Sequence, residues 1–526
     1  VRKPSVKELK DILSGADSRI ALIIGPCSAD REEPILEYCR RLNLSACSSD
    51  RDAFLIDHLY GDSSSSLRSC LDSLNDNSLV LREELTTATL GYANLCIATL
   101  NRCHASMTTN ITKLQPISDY ILAFWGSVLQ HVATLSSVDM LFMGRHVEYL
   151  DMYKDATSGL MGSRGITELL VDSYEAWWQT WTPDMVREFE LKRGYSLLPW
   201  MPALTGEVLE SAQATEKFLF DWRRTISDLY YENYAQIKDI AAGYGIKNLF
   251  LESQENGRVF VADGMDIKRH ATVPMSACWT NGTRSARPVY EADMRESSSV
   301  AHLYGRRWVA TESFTKNGLD GNALWDTPQR LKRLADSEFS CGVNRIFIHE
   351  SSHQPLDDCR PGVGLGKYGQ WFSRHETWAE QAKVWIDYLA RSSYLLSLGE
   401  NVADVLVYYG EDTNVTGKYA RDRFTLPAGY NFDFINSRGL DELKVEDGTI
   451  VAPSGARYKM LCIDADGLPQ SGEAAGSLER LEAAGASVCK AGDIDAALAK
   501  AVVKDLDGAP ELRFVHRRTD DCDIYW

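Results

Sequence analysis

The chain has 526 residues, 44% of them hydrophobic and 25% charged, and carries a net charge of −18 at pH 7. That length exceeds one compact domain, although a single (β/α)8 barrel takes ~250 residues. The acidic balance excludes a nucleic-acid partner of the ordinary basic kind, and no apolar run reaches the roughly 18 residues of a membrane span.

The N-terminus, VRKPSVKELKDIL, is charged and amphipathic rather than a signal peptide, so a cytoplasmic location is expected. The 12 Cys are scattered without a CxxC pair, which fits reduced thiols. The 13 Trp and 23 Tyr fill a large core, and some are available to stack on sugar rings.

In chain order, residues 1–43 read as helix (SVKELKDILSG), buried strand (RIALIIG) and helix (EEPILEYCRRL). Residues 44–135 change texture. They are rich in Ser, Leu, Thr, Asn and Cys, with SSSS at 63–66, and read as unassigned junction sequence. Regular patterning resumes near residue 136. GITELLVD (165–172) is a strand, and 207–242 is a long helix with Phe218, Trp222, Ile226 and Leu229 at helical spacing. KNLFLES (247–253) and RRWVATES (306–313) are strands. A helix at 326–340 leads into the strand NRIFIHES (344–351), and a helix at 374–398 leads into VADVLVYYG (402–410). Such alternation indicates a parallel α/β sheet, closed or open. The segment 458–520 repeats it: YKMLCID, a helix at 475–484, ASVCKAG, a helix at 494–504, and LRFVHRR. This predicts a small Rossmann- or flavodoxin-like domain over 404–526. It lacks a GxGxxG loop, so no nucleotide is expected.

The informative pattern lies at the C-terminal end of each strand. The first ends in Asp172 with Glu175 three residues on. The second ends in Glu252 with Glu255 close behind. The third ends in Glu312, and the fourth in His349-Glu350 with His353 nearby. In a parallel barrel these strand ends share one face, where active sites lie. Any one acid alone reads as a structural or capping group. Several converging there are costly as mere structure, because like charges repel. Paired carboxylates are what glycoside hydrolysis needs: one protonated to serve the leaving oxygen, one ionised to activate water or attack the sugar. Their environments separate the two pKa values. His349-Glu350-Ser351-Ser352-His353 matches the HExxH zinc pattern, but it comes after a strand, and Pro355 prevents a helix from running through it.

Two resemblances add to this reading. LIIGPCSADREEP is similar to the start of a 3-deoxy-arabino-heptulosonate 7-phosphate synthase, which would make Cys27 a metal ligand. The similarity covers only residues 1–43, and GPCS also reads as a tight turn after a strand. The blocks VDSYEAWWQTWTPDM, RGYSLLPWMPALTG, FLFDWRRTISDLYYENY, ESQENGRVFVADGMDIKRHATVPMSACW, SVAHLYGRRWVATESFT, GVNRIFIHESSHQPLDD and YYGEDTNVTG resemble consecutive blocks of glycoside hydrolase family 106, the α-L-rhamnosidases, with similarity spanning about 136–526.

That resemblance implies a (β/α)8 barrel as the catalytic domain over 136–403. It also implies a carbohydrate substrate bearing terminal α-L-rhamnosyl groups, single displacement with inversion, and dependence on calcium. By the same resemblance Glu312 is the general base and Glu175 the general acid. Glu252 orients water, binds substrate or holds calcium. Asp172, Trp279, His349, Glu350 and His353 line the sugar pocket. Many relatives carry a Glu where this chain has Cys278, so that role is expected to pass to Glu252. The family's first barrel strands have no counterpart in residues 1–135, so an incomplete barrel is expected. The rival readings are a sugar-binding chain without turnover and an aldol-type synthase descended from residues 1–43.

Overall fold

The computed structural model describes residues 147–526 except 148, 158–159, 163–164, 174–179, 254–261, 281–285, 318–323, 356–359, 367, 412, 465–470 and 509–511. The elements expected within 1–43 and 44–135 lie outside the described residues. Residues 4–165 and 166–526 form separate compact units. In the first, the described part is a short helix in which Tyr149 and Tyr153, one turn apart, join their hydroxyls at 3.2 Å.

The second unit is α/β. Strands β1 (Glu168–Val171), β2 (Asn248–Leu251), β3 (Val273–Thr280), β4 (Ala310–Asn317) and β5 (Arg345–Ile348) are neighbours in sequence order and all parallel. The short strand β6 (Tyr368–Gly369) pairs antiparallel to the end of β4. Helices fill the crossovers, as a parallel winding requires. They are α1 (Met185–Arg193), α2 (Ala212–Gly243), α3 (Gly264–Lys268), α4 (Pro288–Leu303) and α5 (Pro328–Phe339), with α6 (Lys383–Leu396) after β6.

Local sequence explains the elements. Ser211 starts α2 by accepting a hydrogen bond from Ala214 N at 3.0 Å. The apolar stripe of α2, Phe218, Trp222 and Ile226, then packs on Met185, Phe189 and Leu197. Gly245 at φ +78° turns the chain into β2. Pro at the first position opens both α4 and α5.

A second parallel sheet has the order β14 (Val488–Lys490), β13 (Met460–Ile463), β8 (Val405–Tyr408), β9 (Phe432–Ile435), and β10 (Lys444–Glu446), β11 (Thr449–Val451) and β12 (Arg457–Tyr458) form a small antiparallel sheet. Helices α7 (Val415–Lys418), α8 (Ser437–Glu442), α9 (Gly472–Ala483) and α10 (Ile494–Ala501) belong to this half of the unit. Its core is continuous with Met265 of α3 and with Ala292, Val300 and Leu303 of α4, so α4 serves both sheets. No helix among the described residues is long and apolar enough to cross a membrane.

Three expectations are corrected. The strand read at 306–313 runs instead from Ala310 to Asn317, because Val309 N is drawn off to the Asn344 side chain at 2.8 Å. The helix read at 374–398 begins only at Lys383, after a 3-10 turn at Ala379–Gln381. Within LRFVHRR only β15 (His516–Arg518) is a strand, and it joins β7 (Glu400–Asn401) and β16 (Asp523–Tyr525) in an antiparallel sheet rather than extending the parallel one. His516, fully buried between Asp505 at 2.7 Å and Asp523 at 2.8 Å, fixes that arrangement.

Candidate active site

The C-terminal ends of β1 and β2 and the first half of β4 bring three carboxylates together. Asp172 comes directly after β1, Glu252 directly after β2, and Glu312 sits within β4. One oxygen from each lies within 4.8 Å of the others. Asp172 is exposed, Glu312 half-buried and Glu252 buried, so the cluster faces solvent on one side and backs onto the core.

Glu252 is the most perturbed of the three. Neither of its oxygens has a hydrogen-bond partner of normal geometry among the described residues. Burial pushes its pKa well up, and the neighbouring charges of Asp172, Glu312 and Asp293 push it further. Asp172 Oδ1 accepts from Ser173 N at 2.8 Å. Glu312 Oε1 accepts from the Thr315 hydroxyl at 2.5 Å.

Behind Glu252 lies a charged group with no access to solvent. Lys268 of α3 is fully buried and pairs with Asp293 and, at 2.8 Å, with Glu296, both on α4. Asp293 also accepts from Ala277 N of β3 at 3.0 Å. Burial raises Glu296 to about 7 even though Lys268 opposes the rise. A second buried acid, Glu338 of α5, accepts from the Ser313 hydroxyl at 2.8 Å. Burial raises it to about 8, against the lowering effect of hydrogen bonds from Ser313 and Cys278.

The remaining expected site residues occupy varied settings. Glu175 and Glu255 lie outside the described residues. Trp279 stands edge-on to Tyr368, centroids 5.6 Å apart. Burial lowers the pKa of His349, opposed by the charges of Glu350 and Asp172, and its Nδ1 is buried without a hydrogen-bond partner among the described residues. Glu350 uses Oε1 to accept from Leu365 N at 3.0 Å, which ties down the loop beyond it. His353 is exposed, and its segment is not helical, so the HExxH pattern does not form a helical face. Cys278 is buried in a core with Ala286, Val289 and Met294, where its thiol meets the Glu338 carboxyl.

Sequence reasoning missed Lys268, Asp293, Glu296, Glu338 and Thr315. The segment PVYEADMRESSSVAHL held a clue, since its acids and serines continue through a helix buried on almost every side.

A parallel α/β sheet that gathers three carboxylates holds the acid groups that glycoside hydrolysis uses. The α-L-rhamnosidase family profile, glycoside hydrolase family 106, matches residues 138–492, and the chain belongs to that family. It is 34% identical over 406 residues to a Formosa agariphila protein provisionally named beta-glucuronidase, covering 69% of this chain and 33% of that protein. It also resembles the structure of a rhamnosidase from Novosphingobium sp. PP1Y, with a TM-score of 0.65 and 36% identity over 72% of this chain and 41% of that one. The chain thus spans between a third and a half of the length of these relatives.

Proposed function

We propose that this chain carries the catalytic centre of a glycoside hydrolase that removes terminal α-L-rhamnosyl groups from glycans with inversion. The observation that carries the reading is the convergence of Asp172 and Glu252, just past β1 and β2, with Glu312 of the parallel strand β4. The five neighbouring strands then form part of a (β/α)8 barrel.

Inverting enzymes keep their two carboxyl groups roughly 6.5–9.5 Å apart, with the attacking water between them. One oxygen of Glu252 and one of Glu312 lie within 4.8 Å of each other. The acid/base pair that the family resemblance implies is Glu312 and Glu175, the latter three residues beyond Asp172 in the chain. Glu312 takes a proton from water as the water oxygen bonds to the anomeric carbon. The bond from that carbon to the leaving oxygen breaks, and Glu175 protonates the oxygen. Trp279 and Tyr368 offer ring faces and edges to the sugar, and His349 and His353 offer hydrogen bonds.

Glu252 and Asp172 suit a calcium ion, a hard cation that takes oxygen ligands. A buried carboxylate with no hydrogen bond of normal geometry to either oxygen among the described residues, beside two further acids, is a donor set of that chemistry. When bound, calcium would supply positive charge that holds substrate hydroxyls and offsets the crowding of the acids. Lys268, Asp293 and Glu296 tie α3 to α4 behind the cluster.

The test is hydrolysis of an aryl α-L-rhamnoside, with and without calcium, by the parent and by Glu312→Gln. An aryl β-D-glucuronide runs alongside, because of the Formosa relative's name. Rhamnoside turnover that collapses in the variant and releases β-L-rhamnose first supports the proposal. Turnover of the glucuronide alone overturns the substrate. Release of the α-anomer first overturns inversion and makes Glu252 and Glu312 the acid and nucleophile of a retaining enzyme, whose carboxyls sit ~5 Å apart.

A further inference from the structure

Strand β4 is irregular at the point where it presents Glu312. Ala310, Thr311 and Glu312 face Met275, Ser276 and Ala277 of β3 one for one, but the next partners are Thr315 with Trp279 and Lys316 with Thr280. Two residues of β4, Ser313 and Phe314, therefore stand opposite one residue of β3, Cys278. That is a β-bulge, a device uncommon between parallel strands and over-represented beside active sites. Phe314 takes φ +72°, a left-handed conformation that a bulky non-glycine residue seldom adopts.

The side chains show what the bulge accomplishes. In a regular strand, residues three apart point to opposite faces. Here Ser313 and Phe314, though adjacent, both point toward the helices. Ser313 reaches Glu338 at 2.8 Å, and the Phe314 ring packs with Leu331, Phe339 and Trp385. The half-turn so introduced brings Thr315 to the face of Glu312, where its hydroxyl donates to Oε1 at 2.5 Å. The carbonyls exposed by the irregularity are satisfied: Ser313 O accepts from His349 N at 3.0 Å and Phe314 O from Gln370 N at 3.3 Å. Both carbonyls are thus paired around a strained residue, and strain held in place by its surroundings is a mark of functional sites.

We propose that Thr315 is a positioning residue for Glu312, and that the β4 bulge exists to bring its hydroxyl to the carboxylate and fix the orientation in which Glu312 meets water. This rests on the reading of Glu312 as the general base. The hydroxyl acts through Glu312 and does not itself touch the reacting atoms.

The test compares Thr315→Val, which keeps the shape and removes the donor, with Thr315→Ser, which keeps the donor. Kinetics on the aryl α-L-rhamnoside are paired with melting temperatures and with crystal structures of the parent and both variants. The expected result is a kcat reduced roughly 10- to 100-fold in the Val variant, the scale of a misplaced catalytic group. KM and melting temperature stay close to the parent's, the Ser variant recovers most of kcat, and the Glu312 carboxylate is rotated in the Val structure alone. Equal activity in Val and Ser variants, or an unmoved Glu312 in the Val structure, overturns the proposal. If the parent does not turn over the rhamnoside yet Glu312 rotates only in the Val variant, the substrate reading fails and the positioning role stands.

Discussion

Glu338→Gln should make the protein more stable as pH rises. Glu338 is fully buried, accepts from Ser313 at 2.8 Å, and has Oε1 without a hydrogen-bond partner of normal geometry among the described residues. In the unfolded chain its carboxyl ionises above its ordinary value of 4.5, whereas in the folded protein it keeps its proton to about 8. Between those values the folded state holds the extra proton, so stability conferred by this group falls as pH rises and is fully lost above the folded value. Each tenfold difference in proton affinity between the two states is worth ~1.4 kcal/mol, which sets a ceiling of roughly 5 kcal/mol across the window. Glutamine has nearly the same shape and no proton to lose. Glu296, raised to about 7 by burial, titrates in both chains and cancels from the difference. Urea denaturation of parent and variant at pH 5, 6, 7 and 8 should show a gap that widens in favour of the variant with each step. A gap that stays constant with pH would refute the reasoning, because it would mean that Glu338 ionises alike in both states.

Removing the buried cation should have the opposite sign. Lys268→Met leaves Asp293 and Glu296 buried without their countercharge, and breaking such a pair costs about 3–5 kcal/mol, measurable in the same titration. On Gly264 a Cβ would lie 2.1 Å from Glu296 Oε1, so Gly264→Ala should destabilise by about 1–3 kcal/mol through overpacking; an unchanged unfolding midpoint would mean that the carboxylate moves freely. Glu252→Gln removes the most perturbed of three crowded carboxyl groups. In calcium-free buffer its melting temperature should equal or exceed the parent's, whereas calcium should raise the parent's and leave the variant's unmoved; a variant stabilised as much as the parent by calcium would exclude Glu252 as a ligand.

Much of the architecture was legible in the sequence. Short apolar runs such as NLFL and RIFI, bounded by turns and trailed by acids, gave β2, β5 and the positions of Asp172 and Glu252. Strand β3 was not legible as a strand, since VPMSACWT mixes Pro, Ser and Ala and only its burial on both faces makes it one. Helix α4 escaped notice because it packs against both sheets and so has no polar face to set a period. The bulge in β4 escaped because nothing in ATESFTKN marks an extra residue, and only pairing with β3 reveals it.

The sequence by itself determined that acids stand at the ends of parallel strands and that the chain is related to one hydrolase family, because both are local patterns that survive in linear order. Tertiary structure alone decided which acids meet. It drew Asp172, Glu252 and Glu312 together, buried Cys278 in a core with Ala286, Val289 and Met294, and placed Lys268, Asp293 and Glu296 behind the cluster. The physical reason is that pKa and contact depend on what is near in space and shielded from water. Glu252 and Glu296 are far apart in the chain yet face one buried region, and no periodicity records that.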